Sequence, residues 1–133
     1  MELSREDIRN GFIQRIEEIS SENIYACYQC GKCSAGCPLT EQMDTLPHAI
    51  IRLIQLGAEK EALDANTFWF CSSCMQCMAK CPKGIDVARV MDTLREICKR
   101  NGVDKMELKK ITEEMWKKIP QQAIVSGFRK FSQ

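Results

Sequence analysis

The sequence contains a single histidine, His48, and no Cys, Ser or acidic partner is evident beside it. At the start of a predicted helix it reads as a solvated or capping residue rather than a general base. No glycine-rich phosphate loop or dinucleotide fingerprint is present, so a substrate-converting site and catalytic residues are not expected. Long apolar runs are also missing. The best stretch, Ala49 to Leu56, is broken by Arg52, which excludes a bilayer span. Charge of either sign is scarce in excess: 19 basic against 18 acidic residues leave +1, too weak a field to argue for nucleic acid or an anionic membrane. Met1 leads directly into charged residues with no apolar export core, so a reducing cytoplasm is the expected setting. Alternating strand patterns are absent as well.

What the chain does have is cysteine. Eight of its nine fall in two runs of the form C-x2-C-x2-C-x3-C-P: Cys27, Cys30, Cys33 and Cys37 before Pro38, and Cys71, Cys74, Cys77 and Cys81 before Pro82. Structural zinc takes two CxxC pairs from separated segments, and four cysteines so close together fit that poorly. A disulfide framework belongs to small secreted chains. An iron–sulfur cubane fits better. Its irons occupy alternate corners, three thiolates spaced two residues apart on a turning backbone reach three of them, and the fourth needs a ligand from elsewhere. Both runs keep all four cysteines, which favours two [4Fe–4S] clusters.

Each run resembles the bacterial-type iron–sulfur motif, whose last Cys serves the other cluster in two-cluster ferredoxins. That resemblance implies one cluster on Cys27, Cys30, Cys33 and Cys81, and another on Cys71, Cys74, Cys77 and Cys37. Between ligands, Gly31 and Gly36 admit close backbone approach, Lys32, Lys80 and Lys83 bring cations near an anionic cluster, and Met75 and Met78 offer polarizable cover.

The flanks read as helix. Ser4 and Asp7 form a capping pair, with Ile8, Phe12, Ile16 and Ile19 on one face of a helix over roughly residues 5–20. After the first run, Asp44 or Thr45 caps a helix with Pro47 in its first turn, a stripe of Leu46, Ile50, Leu53 and Ile54, and Gly57 as its stop. A short helix follows from about Glu59 to Leu63. Asn66-Thr67 opens the Phe68-Trp69-Phe70 lead-in, whose aromatics are expected to pack beside a cluster and exclude water. Asp86 caps a helix with Val87, Val90, Met91, Leu94 and Cys98 on its buried face, ending at Asn101-Gly102, and Cys98 reads as a small core residue. Asp104 and Glu107 open another, with Leu108, Ile111, Met115 and Ile119, stopped by Pro120. Residues 121–133 are too short for a core of their own, and their phenylalanines beside cations suit docking to a partner. The expected organisation is an N-terminal amphipathic helix (1–22), a dicluster core (23–102) and a C-terminal helix with a docking tail (103–133). The fold class is all-α: an α-helical ferredoxin with two [4Fe–4S] clusters and a pseudo-twofold internal repeat.

The segment NIYACYQCGKCSAGCP, Asn23 to Pro38, resembles the C-type iron–sulfur subunit of heterodisulfide reductase, as do the linker HAIIRLIQLG and the lead-in FWFCSSC. The resemblance covers roughly Ile24 to Cys98. It implies an electron-transfer component placed between two others: an A-type subunit with flavin and iron–sulfur clusters, and a catalytic B-type subunit with CCG repeats that reduces a disulfide. The CCG repeats are absent here, so disulfide cleavage would take place on the partner. The alternatives are an iron–sulfur subunit of a succinate- or glycolate-type dehydrogenase, or a free-standing ferredoxin-like carrier. The near-neutral charge balance suits a permanent subunit better than a freely docking carrier.

Overall fold

The computed structural model describes residues 11–103, 105 and 110–132. Among the described residues every regular element is a helix. Two compact units are present, residues 1–94 and 95–133, and the division falls inside one helix. The capping pair Ser4/Asp7 and Ile8 lie outside the described residues, as do Asp104, Glu107 and Leu108.

In the first unit, α1 (Gly11–Ser20) buries Phe12, Ile13 and Ile16. Ser21 ends it in a left-handed conformation at φ 57°. Glu17 then reaches forward, its Oε1 accepting the Ile24 amide at 3.1 Å, and so sets where the first cysteine run begins. A 3-10 turn (Ile24–Ala26) leads into that run, and within it lies the single turn α2 (Lys32–Ala35). The helix α3 (Pro47–Gln55) has Pro47 at its first position, where the missing N–H is no loss. Its stop is as expected: Gly57 is left-handed at φ 70°, and the Ala58 amide bonds back to the Leu53 carbonyl. The buried face differs from the predicted stripe. Leu46 is the cap residue and 42% exposed, Leu53 is half-buried, and Ile51 is fully buried beside Ile50 and Ile54. The reason is that α3 is packed by α1, by α2 and by α4 (Glu59–Asp64), which widens its buried arc beyond one stripe. In α1 the same widening takes in Ile13 and leaves Ile19 half-buried.

Asp44 and Asn66 tie the two ends of this helical linker together. The Asp44 amide donates to Asn66 Oδ1 at 2.9 Å, and the Asn66 amide donates to Asp44 Oδ2 at 3.0 Å. Asp44 is therefore a clasp between loops rather than the cap of α3. The turn α5 (Thr67–Phe70) follows, then the second run with α6 (Gln76–Lys80). Asp86 caps α7 (Val87–Arg100) as predicted, its Oδ1 accepting the Arg89 amide at 3.0 Å. The predicted face of α7 is buried throughout its length.

In the second unit, α7 ends before Gly102, left-handed at φ 79°. Cys98 is buried, as expected of a small core residue. The start expected at residue 104 lies outside the described residues, residues 110–112 are not α-helical, and the helix found there begins later. It is α8 (Glu113–Lys118), with Thr112 as its cap, and Met115 is 43% exposed. Pro120 does not simply stop it but starts α9 (Gln121–Phe131), so residues expected as a tail form a helix that buries Ile124. The Arg95 guanidinium lies over the Phe131 ring, 5.7 Å from its centroid.

Candidate metal centres

The two cysteine runs repeat each other at the level of backbone torsions. Gln29 and Gly31 in the first run are left-handed, at φ 62° and 75°, and their counterparts Ser73 and Met75 are left-handed too, at 55° and 63°. Gly31 and Met75 each precede the short helix of their run, α2 and α6. Only glycine takes this conformation freely. A methionine there costs roughly 1–2 kcal/mol. Met75 is half exposed, so its own packing does not compensate for that cost. The requirement comes from the turn, which swings three thiols toward one side.

The short helices α2 and α6 pack on each other and bring the runs face to face. The end of the Lys80 side chain lies where a Cβ on Gly36 would stand, so a larger residue there would displace the lysine tip. The two runs thereby mix their cysteines. Cys37, from the first run, lines a recess with Cys71, Cys74 and Cys77, from the second. Its apolar wall is made by Leu39, Met43, Pro47, Val87 and Met91. At the other centre, Cys81 from the second run acts together with Cys27 and Cys30 on the phenol of Tyr28. That phenol is pushed above its ordinary value by desolvation, then by its hydrogen bond with Cys30 and the negative potentials of Cys30, Cys81 and Cys27. Lys83, just past the second run, lies over the Tyr28 ring at 5.8 Å.

Donors surround the sulfurs. Gln29 Nε2 donates to Cys27 Sγ, and the Ile85 amide to Cys81 Sγ, both at 3.4 Å. The thiols of Cys33 and Cys77, which hold the same place in their runs, are both raised by burial first of all. The Ser34 hydroxyl and amide oppose this at Cys33, and the Met78 and Ala88 amides oppose it at Cys77, which still reaches about 11. A raised thiol favours the protonated fold. Without metal, the Cys77 contribution to stability is present below the ordinary thiol value and is lost as pH climbs toward about 11. In the metal-free chain at pH 8, the two-unit rise leaves Cys77 with about a hundredfold less thiolate than an ordinary cysteine. Timed iodoacetamide labelling read by mass spectrometry should therefore modify the exposed Cys30 and Cys74 early and Cys77 late. Equal rates at Cys74 and Cys77 would contradict this.

The donor set fits a cubane. All the sulfurs are soft thiolate ligands, and an iron in place of the proton removes the cost of burying a bare thiolate. Among the described residues, no three His, Cys, Asp or Glu side chains close on one point as a single zinc ion demands. The thiols stand around a volume instead, and none is in a disulfide.

Some expectations about this site change. Phe68 is fully buried in the core, 5.2 Å from the Trp69 ring, while Phe70 is 46% exposed, and none of the three lines the recess. The turn α5 carries Phe68 into the core, and aliphatic residues form the wall. Met75 and Met78 are likewise exposed rather than cover. His48 does have a partner: its Nδ1 is 2.7 Å from Ser34 Oγ. Gln55 was not singled out by sequence reasoning, yet it fixes the start of the first run. Its Nε2 donates to the carbonyls of Ile24 at 3.0 Å and Cys27 at 2.9 Å. A glutamine on the buried arc of an otherwise aliphatic helix was the available signal.

Comparison with known proteins agrees with this chemistry. Residues 23–85 match the 4Fe-4S dicluster domain. The chain is 26% identical over 108 aligned positions to the iron-sulfur C subunit of the CoB–CoM heterodisulfide reductase of Methanopyrus kandleri, covering 75% of this chain and 56% of that protein. It is 28% identical over 107 positions to the C subunit of the H2:CoB-CoM heterodisulfide,ferredoxin reductase of Methanothermobacter marburgensis, covering 75% of this chain and 58% of that one. A protein of Archaeoglobus profundus that is itself named as similar to the heterodisulfide reductase C subunit is 32% identical over 83 positions, covering 62% of this chain and 44% of its own length. The chain thus spans about half the length of these relatives. Its nine cysteines and matched domain fit two [4Fe–4S] clusters within an all-helical fold. Among the described residues, no helix is long and apolar enough to cross a membrane.

Proposed function

We propose that this chain is the electron-carrying iron–sulfur subunit of a heterodisulfide reductase-type complex in the cytoplasm. Its ligand sets are Cys27, Cys30, Cys33 with Cys81, and Cys71, Cys74, Cys77 with Cys37. The observation that carries the crossed sets is Cys37 sharing a recess with three cysteines of the other run. When bound, each cluster supplies a centre that takes up and returns one electron. The polypeptide holds the two centres in one compact unit, walls one of them with aliphatic side chains, and aims amide donors at the sulfurs. Lys32, Lys80 and Lys83 stand exposed around the centres, where cations favour the reduced, more negative state.

The relatives are named as C subunits of larger reductases, which supports membership of a complex. The partners in this reading are an A-type component carrying flavin and iron–sulfur clusters and a catalytic B-type component. This chain relays electrons between them, and the disulfide is reduced on the partner. Anaerobic purification from the native source tests the reading. A flavin subunit and a CCG-type subunit should co-purify with the chain. A lone monomer that shuttles electrons would overturn the complex while leaving the clusters in place.

A further inference from the structure

Ser34 directly follows Cys33, and His48 lies across from it at the start of α3. The serine is buried, at 7% exposure. Its Oγ accepts the His48 backbone amide at 3.1 Å and stands 2.7 Å from His48 Nδ1. Cys33, its chain neighbour, is buried as well, and the serine hydroxyl acts to lower that thiol against the effect of burial. A hydroxyl has one proton to give and two lone pairs to offer. The backbone amide occupies one lone pair. The other lone pair and the proton are shared out between imidazole and sulfur, which leaves two arrangements. If Nδ1 is bare, it draws the serine proton away from the sulfur. If Nδ1 carries a proton, it donates to Oγ and the serine proton is left for the sulfur.

An iron-bound thiolate is an anion that only accepts, and a charge-assisted hydrogen bond is roughly twice as strong as a neutral one. That decides between the two arrangements. We propose that His48 is held as the Nδ1–H tautomer and donates to Ser34, whose hydroxyl donates to Cys33 Sγ, so that His48 tunes one cluster and not the other. His48 is a positioning residue in this chain, acting through Ser34 on the ligand. Such chains strengthen cooperatively, and donors to ligand sulfur favour the reduced cluster. The second run has no equivalent, because the counterpart of Ser34 is Met78, which carries no hydroxyl. The hydroxyl chain therefore acts on the Cys33 cluster alone.

The proposal rests on Cys33 being a cluster ligand, and the tests separate the two claims. In the two-cluster holoprotein, Ser34→Ala should shift one cluster about tenfold toward its oxidised form, or ~59 mV for one electron, in an EPR-monitored titration. His48→Leu should shift the same cluster in the same direction by a smaller amount, since the hydroxyl remains. Iron content and the second potential should stay at wild-type values. His48→Asn keeps an N–H donor near the Nδ1 position and should restore most of the shift. Unchanged potentials, or two potentials that move together, would overturn the chain. Nitrogen-15 NMR of the wild-type protein gives a check that needs no variant, since His48 is the sole histidine. An Nδ1–H imidazole supports the proposal and an Nε2–H imidazole refutes it. A Cys33→Ser protein that retains both native cluster spectra would instead remove the ligand assignment beneath it.

Discussion

Cys81→Ser is expected to lower bound iron from about eight atoms per chain to about four, with the loss confined to the centre of Cys27, Cys30 and Cys33. The argument is positional. Cys81 closes α6 in the second run, yet it bears on the Tyr28 phenol of the first run together with Cys27 and Cys30. The recess lined by Cys71, Cys74 and Cys77 has its fourth thiol from Cys37 and does not need Cys81. Iron analysis gives the count, and the EPR signal of the reduced variant identifies which cluster remains. The mirror substitution, Cys37→Ser, should spare the first centre and remove the second. If Cys81→Ser empties the Cys71 centre instead, each run is self-sufficient and the crossed sets are wrong.

Gln55→Leu should destabilise the metal-free fold by about 1–3 kcal/mol, a sizeable part of a typical domain's 5–15 kcal/mol. Leucine is of similar size and suits the apolar surroundings, so the cost is not a cavity. It comes from two carbonyls, Ile24 and Cys27, that lose their shared donor within a site where Gln55 is 7% exposed. The Cys27 carbonyl is left without a donor, at a cost on the order of 1–3 kcal/mol, while the Ile24 carbonyl keeps the Cys27 amide at 3.3 Å. The damage falls at the entrance to the first cysteine run. The variant should therefore show a lower urea midpoint at unchanged slope and a first cluster that is lost sooner on air exposure. A midpoint within experimental scatter of the wild type would mean that water replaces the amide without loss.

The parts of the molecule that obey local rules were legible in the sequence. The eight thiols declared themselves by spacing, and Pro47, Gly57, Asp86 and Gly102 marked helix ends because their roles depend only on neighbouring backbone. The absence of strand patterns, with stripes at helical spacing, was enough to choose the helical type of two-cluster domain. Contacts between segments distant in the chain were not legible. Ser34 and His48 stand fourteen residues apart, and nothing in either neighbourhood announces the pair. Gln55 meets carbonyls about thirty residues away. Phe68, Trp69 and Phe70 looked alike as a string, and only the direction of α5 decides that Phe68 goes inward while Phe70 stays half exposed. Left-handed backbone at Gln29, Ser73 and Met75 was hidden because none of them is glycine. Residues 121–131 failed for a different reason. Ile124, Phe128 and Phe131 do stand at helical spacing, but a segment of 11 residues holds as a helix only when a face is buried, as Ile124 is.

The meeting of Gly36 and Lys80 has a geometric meaning beyond close packing. Both residues stand one place before the last cysteine of their run, so each is the other's image under the internal repeat. A point can touch its own image only on the axis that relates them. The contact therefore puts both residues beside the line that relates the two halves. Two long side chains so close together would compete for the same space, and here a lysine reaches over a glycine. The two halves therefore differ at that point, a lysine in one standing over a glycine in the other, between otherwise matching cysteine runs.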